Sequence, residues 1–218
     1  MSYVENTYIC LAAPLLLAVL MLKRDWKKAL IFLLAGMTSC LLSAYVTTFF
    51  AALLRADALT ASYHLAPTVE EIMKFLPLLF YLAVFRPDRK STVNSAVLVA
   101  VGFATFENVC YLTSNGTSEL VKLLIRGFGT GAMHLLCGML VSVGMFLLWE
   151  HKWLRNVGTF AVLCSTVTLH AIFNIMVSEP GLSTWIGSAV PMVLIGCILM
   201  ITVKKDIFKD KDLKESDT

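Results

Sequence analysis

Apolar residues in this chain come in long blocks broken by short polar clusters, with neither the two-residue alternation of a half-buried strand nor a narrow amphipathic stripe. The blocks run over residues 8–22, 29–54, 69–85, 93–114, 127–149, 157–177 and 185–203. A helix needs about 20 predominantly apolar residues to cross a bilayer. Five blocks meet that length within a residue or two, and the first and third reach it by extending into their flanks. The pattern predicts an all-α, polytopic membrane helix bundle of about seven transmembrane helices. Residues 1–203 form one integral membrane domain, and residues 204–218 form a charged tail.

The polar clusters fix an expected orientation. Residues 23–28, 86–90, 150–155 and 204–214 hold 4, 3, 2 and 5 Lys/Arg, together 14 of the 18 in the chain. The alternate side offers a start without Lys or Arg, Arg55 alone, and none over 178–184. Lys122 and Arg126 are the one ambiguity. Positive charge stays inside, which puts the N-terminus outside and the C-terminus in the cytoplasm. An odd number of spans agrees. The first block follows Glu5 and precedes its basic cluster, the reverse of a secretory signal, and is read as a retained span.

Composition excludes other classes. Hydrophobic residues make up 58% of the 218 and charged residues 15%, against about 45–50% and about 25% in soluble domains; mean hydropathy is +0.77. The net charge of +3 comes without a basic patch interleaved with aromatics, so no nucleic-acid partner is expected. All six cysteines fall in apolar blocks without a CxxC pair and read mostly as small core residues.

Against this background a few polar residues stand out. A charge at the bilayer centre costs about 2.5–3.5 kcal/mol on translocon scales and usually marks function. The residues concerned are Glu70, Glu71, Lys74, Glu107, His134, His170 and Asn174. At 1.5 Å per helical residue, Glu107, His134 and His170 each lie ~10 Å below the outer face, on three different spans. Glu70 and Glu71 sit shallower if Pro67 opens their helix, and reach the same layer if it starts near Leu59. Glu70 and Lys74, four residues apart, pair on one face, leaving Glu71 rotated by about 100° as the expected water-activating base, with Glu70 holding the helix and tuning its neighbour. The plain alternative is a neutralised Glu70–Lys74 pair with Glu71 in interfacial water, and a lone membrane histidine is more often a structural hydrogen-bonder than a ligand. The common depth of two Glu sites and two His sites raises the functional reading. Tyr111, one turn after Glu107, is placed to hydrogen-bond it. Gly127, Gly129 and Gly131 read as small residues that let helices approach, and Asn115-Gly116-Thr117 matches a glycosylation sequon.

Two chemistries use such a cluster, and the residues leave both open. Zinc could be held by Glu107, His134 and His170 with an open position for water, Glu71 or Glu70 serving as base. Alternatively a buried glutamate activates water directly, with His170 and Asn174 donating to the oxyanion. Both hydrolyse a peptide bond inside the membrane. The soluble zinc-protease motif HExxH is absent.

The motifs Glu70-Glu71-Ile72-Met73-Lys74 (EExxK), Phe103 to Tyr111 (FxxxExxxY) and His170 to Asn174 (HxxxN) follow one another on successive spans. The ordered set resembles the PrsW family of membrane proteases, related to the CAAX prenyl proteases, whose motifs read EExxxR, FxxxH and HxxxN. The resemblance covers roughly residues 65 to 180. It implies that Glu70, Glu71, His134 and His170 belong to the site. It also implies a single-pass anti-sigma factor as substrate, cut on its extracytoplasmic side (site-1 cleavage) in a bacterial plasma membrane to activate a sigma factor. Lys74 and Glu107 favour this branch over prenyl-protein processing. A proton- or ion-coupled transporter is the main competing class, since intramembrane Glu, Lys and His also form relays, although no inverted repeat is evident. A membrane scaffold whose polar cluster only joins helices is a third.

Overall fold

Asp57 opens the most informative helix: its side chain accepts the backbone N–H of Thr60 at 2.7 Å, an N-cap ten residues before Pro67. The structure, a computed structural model, describes residues 4–116, 120–149, 151–179 and 181–216. Its helices are α1 (Val4–Met21), α2 (Arg24–Leu54), α3 (Ala58–Thr60), a π-helical turn (Ala61–Leu65), α4 (Ala66–Phe85), α5 (Arg89–Asn115), α6 (Leu120–Trp149), α7 (Leu154–Ser178) and α8 (Leu182–Ser216). From Ala58 to Phe85 the backbone stays helical, so Pro67 does not start the helix. The π turn widens it just upstream and lets the proline ring in. Glu70 and Glu71 therefore lie more than three turns inside a continuous helix, which is the deeper of the two placements read from the sequence.

Among the described residues six helices are long and apolar enough to cross a membrane: α1, α2, α5, α6, α7 and α8. α4, with 20 residues, differs from them through Glu70, Glu71 and Lys74. It packs against α2, α5, α6 and α7, and this enclosure is what lets a helix with three charges lie among spans. Large apolar side chains such as Leu17, Leu20 and Met21 on α1 stay exposed on the outside of the bundle, as expected of lipid-facing positions. α4 ends at Arg86, which takes a left-handed conformation at φ 46°. Asp88 then caps α5 by accepting the N–H of Ser91 at 2.8 Å, and that bond holds its carboxyl below its ordinary pKa.

The tightest helix contact is α2 on α5. A Cβ added to Gly36 would lie 2.0 Å from the carbonyl oxygen of Val99, and one on Gly102 would lie 2.0 Å from that of Leu33. Only glycine lets the two backbones meet in this way. Of the three glycines before His134, Gly129 alone serves such a contact, its missing Cβ falling 2.9 Å from Ser188 Cβ on α8. Among the described residues, Gly127 and Gly131 would meet nothing within 4 Å. Phe103 and Phe106 are fully buried beneath α1 and α2. All six cysteines are free, but only Cys40 and Cys137 are buried; Cys10, Cys164 and Cys197 are exposed, so fewer are core residues than the apolar context predicts.

α8 runs on as helix to Ser216, through most of the segment read as a charged tail, while its apolar portion ends at Ile201. Thr117 of the sequon and Glu150 of the third basic cluster lie outside the described residues, as does the side chain of Lys122.

Candidate active site

Four helices bring their polar side chains to one buried centre. α4 contributes Glu70, Glu71 and Lys74, α5 Glu107, α6 His134, and α7 His170. His134 is 0% exposed, Glu71 and His170 2%, and Lys74 5%. Lys74 Nζ lies 2.5 Å from Glu71 Oε1 and 2.8 Å from His134 Nδ1. His170 Nδ1 lies 2.7 Å from the same Glu71 oxygen. On its far side His134 places Nε2 2.5 Å from Glu107 Oε2. The two imidazole rings stand 5.1 Å apart and nearly perpendicular. Phe103 walls the cluster, with Lys74 Nζ 4.8 Å from its ring centre and the His134 ring 5.0 Å away.

This network assigns the tautomers. An ammonium has only protons to offer, so Lys74 donates to His134 Nδ1, and Nε2–H of His134 donates to Glu107. Glu71, a carboxylate, accepts from Nδ1–H of His170. The second nitrogen of His170, Nε2, then carries a lone pair, and it faces Glu70 Oε2 at 3.6 Å. That oxygen is buried and has no hydrogen-bond partner among the described residues. Two electron pairs converge on one small space, an arrangement that calls for a proton, a water or a cation between them.

The pairing within α4 is the reverse of the one read from spacing alone. Lys74 bonds Glu71, three residues back, and not Glu70, four back. Both separations lie within reach on a helix surface. The choice falls to the neighbours, because His134 and His170 draw Lys74 and Glu71 to the inside, while Glu70 keeps 16% of its side chain exposed.

Glu107, read from the sequence as a third metal ligand, stands behind His134. Arg126 Nη2 donates to its other oxygen at 3.2 Å, and the guanidinium lies 3.6 Å from the ring centre of Tyr111. Tyr111 thus reaches Glu107 by way of Arg126. Arg126 is the site residue that sequence reasoning missed; its signal was a charge at the very edge of an apolar block. Asn174 lies apart from the centre and donates to the backbone carbonyl of Ser62 at 3.1 Å.

The side chains able to share a metal ion are Glu70, His134 and His170, whose ligand atoms all lie within 4.8 Å of one another. The donor set fits such an ion. Glu70, whose Oε2 is orphaned, belongs to it, and each histidine has its other nitrogen on a carboxylate, Glu107 or Glu71, the support that metal-binding imidazoles ordinarily have. For His134 the free nitrogen would be Nδ1, which Lys74 has to release.

A helical membrane bundle that encloses two histidines among carboxylates from separate helices fits the class of membrane-embedded hydrolases. The family described as PrsW family intramembrane metalloprotease matches residues 24–203, and the chain is a member of it. It is therefore a multi-pass membrane protease acting on a membrane protein, and the match takes in every residue of the cluster. No curated protein and no solved structure matches the chain.

Proposed function

We propose that this protease makes the first, extracytoplasmic cut in a single-pass anti-sigma factor of a bacterial plasma membrane, and that Glu70 and His170 form its reactive pair. The observation that carries the site reading is the unpartnered Oε2 of Glu70 facing His170 Nε2 at 3.6 Å. Every other carboxylate of the cluster is engaged: Glu71 by Lys74 and His170, Glu107 by His134 and Arg126. The extracytoplasmic direction is supported by the charge pattern of the loops, which favours the outer half of the bilayer for the cluster. The substrate class is supported by the EExxK, FxxxExxxY and HxxxN set in this chain.

The division of work follows from the contacts. A metal held by Glu70, His134 and His170 would supply polarisation of the scissile carbonyl and a water of lowered pKa; zinc is the candidate. Glu107 and Glu71 orient the two imidazoles and favour their ring-bound protons. Lys74 neutralises Glu71 and keeps two adjacent carboxylates from repelling each other in a dry site. Phe103 and the surrounding helices exclude bulk water. Glu70 receives the proton of the attacking water, through the oxygen a metal would leave free, and returns it to the departing amine. His170 Nε2, with a lone pair and no proton of its own, would hold the metal or, without one, orient that water.

Reconstitution with a single-pass substrate tagged on both sides tests this reading. Fragments whose new termini lie on the extracytoplasmic side, lost on Glu70→Gln, are expected. Cleavage on the cytoplasmic side, or undiminished cleavage by the variant, would defeat it.

A further inference from the structure

Pro67 stands three residues before Glu70, in a helix that does not break there. A proline inside a helix offers no N–H, and its ring crowds the carbonyl four residues back, here that of Tyr63. The π-helical turn Ala61–Leu65 widens the backbone at that point, a feature that recurs at functional sites. The widening leaves Ser62 short of a donor. Ala66 N–H, which would serve Ser62 in a regular α-helix, reaches Ala61 O instead. The next donor at π spacing would come from residue 67, which is the proline. Asn174 Nδ2 supplies the bond, 3.1 Å from Ser62 O. A second tie lies beside it, Tyr63 OH to Ser178 Oγ at 2.7 Å. Both Asn174 and Ser178 sit on α7, and Asn174 follows His170 by about one turn.

We propose that Asn174 is a positioning residue that stands in for the N–H missing at Pro67. It holds the π turn open and so sets the glutamates of α4 against His170. This rests on reading the Glu70–His170 cluster as the protease site. It differs from the oxyanion role that the HxxxN spacing invites, since the amide is committed to a backbone carbonyl away from the reacting atoms. One helix then grips the continuous helical segment 58–85 at two levels, through His170 on Glu71 of α4 and through Asn174 on Ser62 of the π turn.

The proposal implies that restoring a backbone N–H at position 67 makes Asn174 dispensable. Asn174→Ala alone is expected to lower kcat on the tagged substrate about tenfold, with KM held within about twofold. In a Pro67→Ala background the same change is expected to cost no more than about threefold, because the N–H that the substitution restores can serve Ser62 O. Pro67→Ser provides the same donor if the alanine variant accumulates poorly. Amide exchange over residues 61–68 reads the turn without using cleavage: faster in Asn174→Ala, slow again in the double variant. Equal losses in both backgrounds with unchanged exchange would put Asn174 on the reacting atoms and overturn the proposal, as would full activity of Asn174→Ala. Glu70→Gln run alongside tests the site reading separately. Should it fail to stop cleavage, that reading falls, while the exchange data still decide whether Asn174 holds the turn.

Discussion

Lys74 and Glu71 form an ion pair of 2.5 Å with almost no solvent exposure on either side chain, while Glu70, next to Glu71 in the chain, has an oxygen that nothing bonds among the described residues. Adjacent residues on a helix point about 100° apart, so the two glutamates meet different surroundings. Glu71 is held from both sides by Lys74 and His170, and its charge is part of the structure. Glu70 is the carboxylate these pairings leave unbonded, as its proposed role in the chemistry requires.

Lys74→Met is the first consequence. It leaves Glu71 charged and buried with only a histidine to meet it, and breaking a buried pair from one side typically costs about 3–5 kcal/mol. The variant should unfold at markedly lower temperature in detergent. Adding Glu71→Gln removes the stranded charge and should recover most of the loss without restoring cleavage. If the double variant is no more stable than Lys74→Met, the pair is not what the charge of Glu71 depends on.

Glu70→Gln should behave in the opposite way. General-base groups contribute about 10²–10⁴ in rate, and cleavage should fall by that order. Measured on metal-free protein, thermal stability should stay level or rise, since the change removes a negative charge from an oxygen without a partner. A large drop in melting temperature would mean that Glu70 is structural and that the reactive carboxylate lies elsewhere.

Arg126 reaches the chemistry through two other residues. It fixes Glu107, which holds His134, and supporting partners of this kind typically cost about 10–100-fold when removed. Arg126→Met is expected to lose activity in that range. Tyr111→Leu, which takes the aromatic ring from under the guanidinium, should lose about two- to fivefold through that contact, in line with about 0.5–1 kcal/mol for an exposed cation–π contact. Cleavage assays on both variants check the ranking, and a Tyr111 effect larger than that of Arg126 would contradict the order of contacts.

Metal content separates the ligands from their supports. Purified protein is expected to carry one divalent ion, lost together with activity on prolonged chelation and regained with zinc. Glu70→Gln and His170→Ala should abolish stoichiometric binding, whereas Glu107→Gln should weaken it by about 10–100-fold. Full metal retention in Glu70→Gln, or full activity in metal-free protein, would exclude Glu70, His134 and His170 as a required metal site.

Much of this molecule can be read from the sequence, and the reason is the membrane. Lipid forces charge out of the spans, so Glu107, His134 and His170 announce themselves in apolar blocks, and the structure joins all three to the α4 cluster. What could not be read is rotation. Lys74 is within reach of both Glu70 and Glu71, and only His134 and His170, on helices far along the chain, decide between them. The partners of Asn174 and Arg126 could not be read for a similar reason, since one is the backbone carbonyl of Ser62 and the other a carboxylate on another helix. Glycine spacing misled because a close approach depends on what stands opposite. Gly127 and Gly131 face nothing, while Gly36 and Gly102, on separate spans, bring α2 and α5 together.

That contact yields the last expectation. A Cβ on Gly36 would sit 2.0 Å from Val99 O and 2.9 Å from Phe103 N, both backbone atoms that cannot turn aside as a flexible side chain can. Overpacking ordinarily costs about 1–3 kcal/mol where side chains can shift, so Gly36→Ala should exceed that range or force α2 and α5 apart. Phe103 stands one turn before Glu107 and walls Lys74 and His134, so separation of these helices should also disturb the site. Gly36→Ala is therefore expected to lower both thermal stability and cleavage, with Gly102→Ala close behind. Gly131→Ala is the control: its new methyl meets nothing within 4 Å, and alanine in a helix gains about 0.5–1 kcal/mol over glycine. Melting temperature and cleavage of the three variants, measured in one detergent, check the contrast. Equal tolerance of all three would show that α2 and α5 do not meet backbone to backbone.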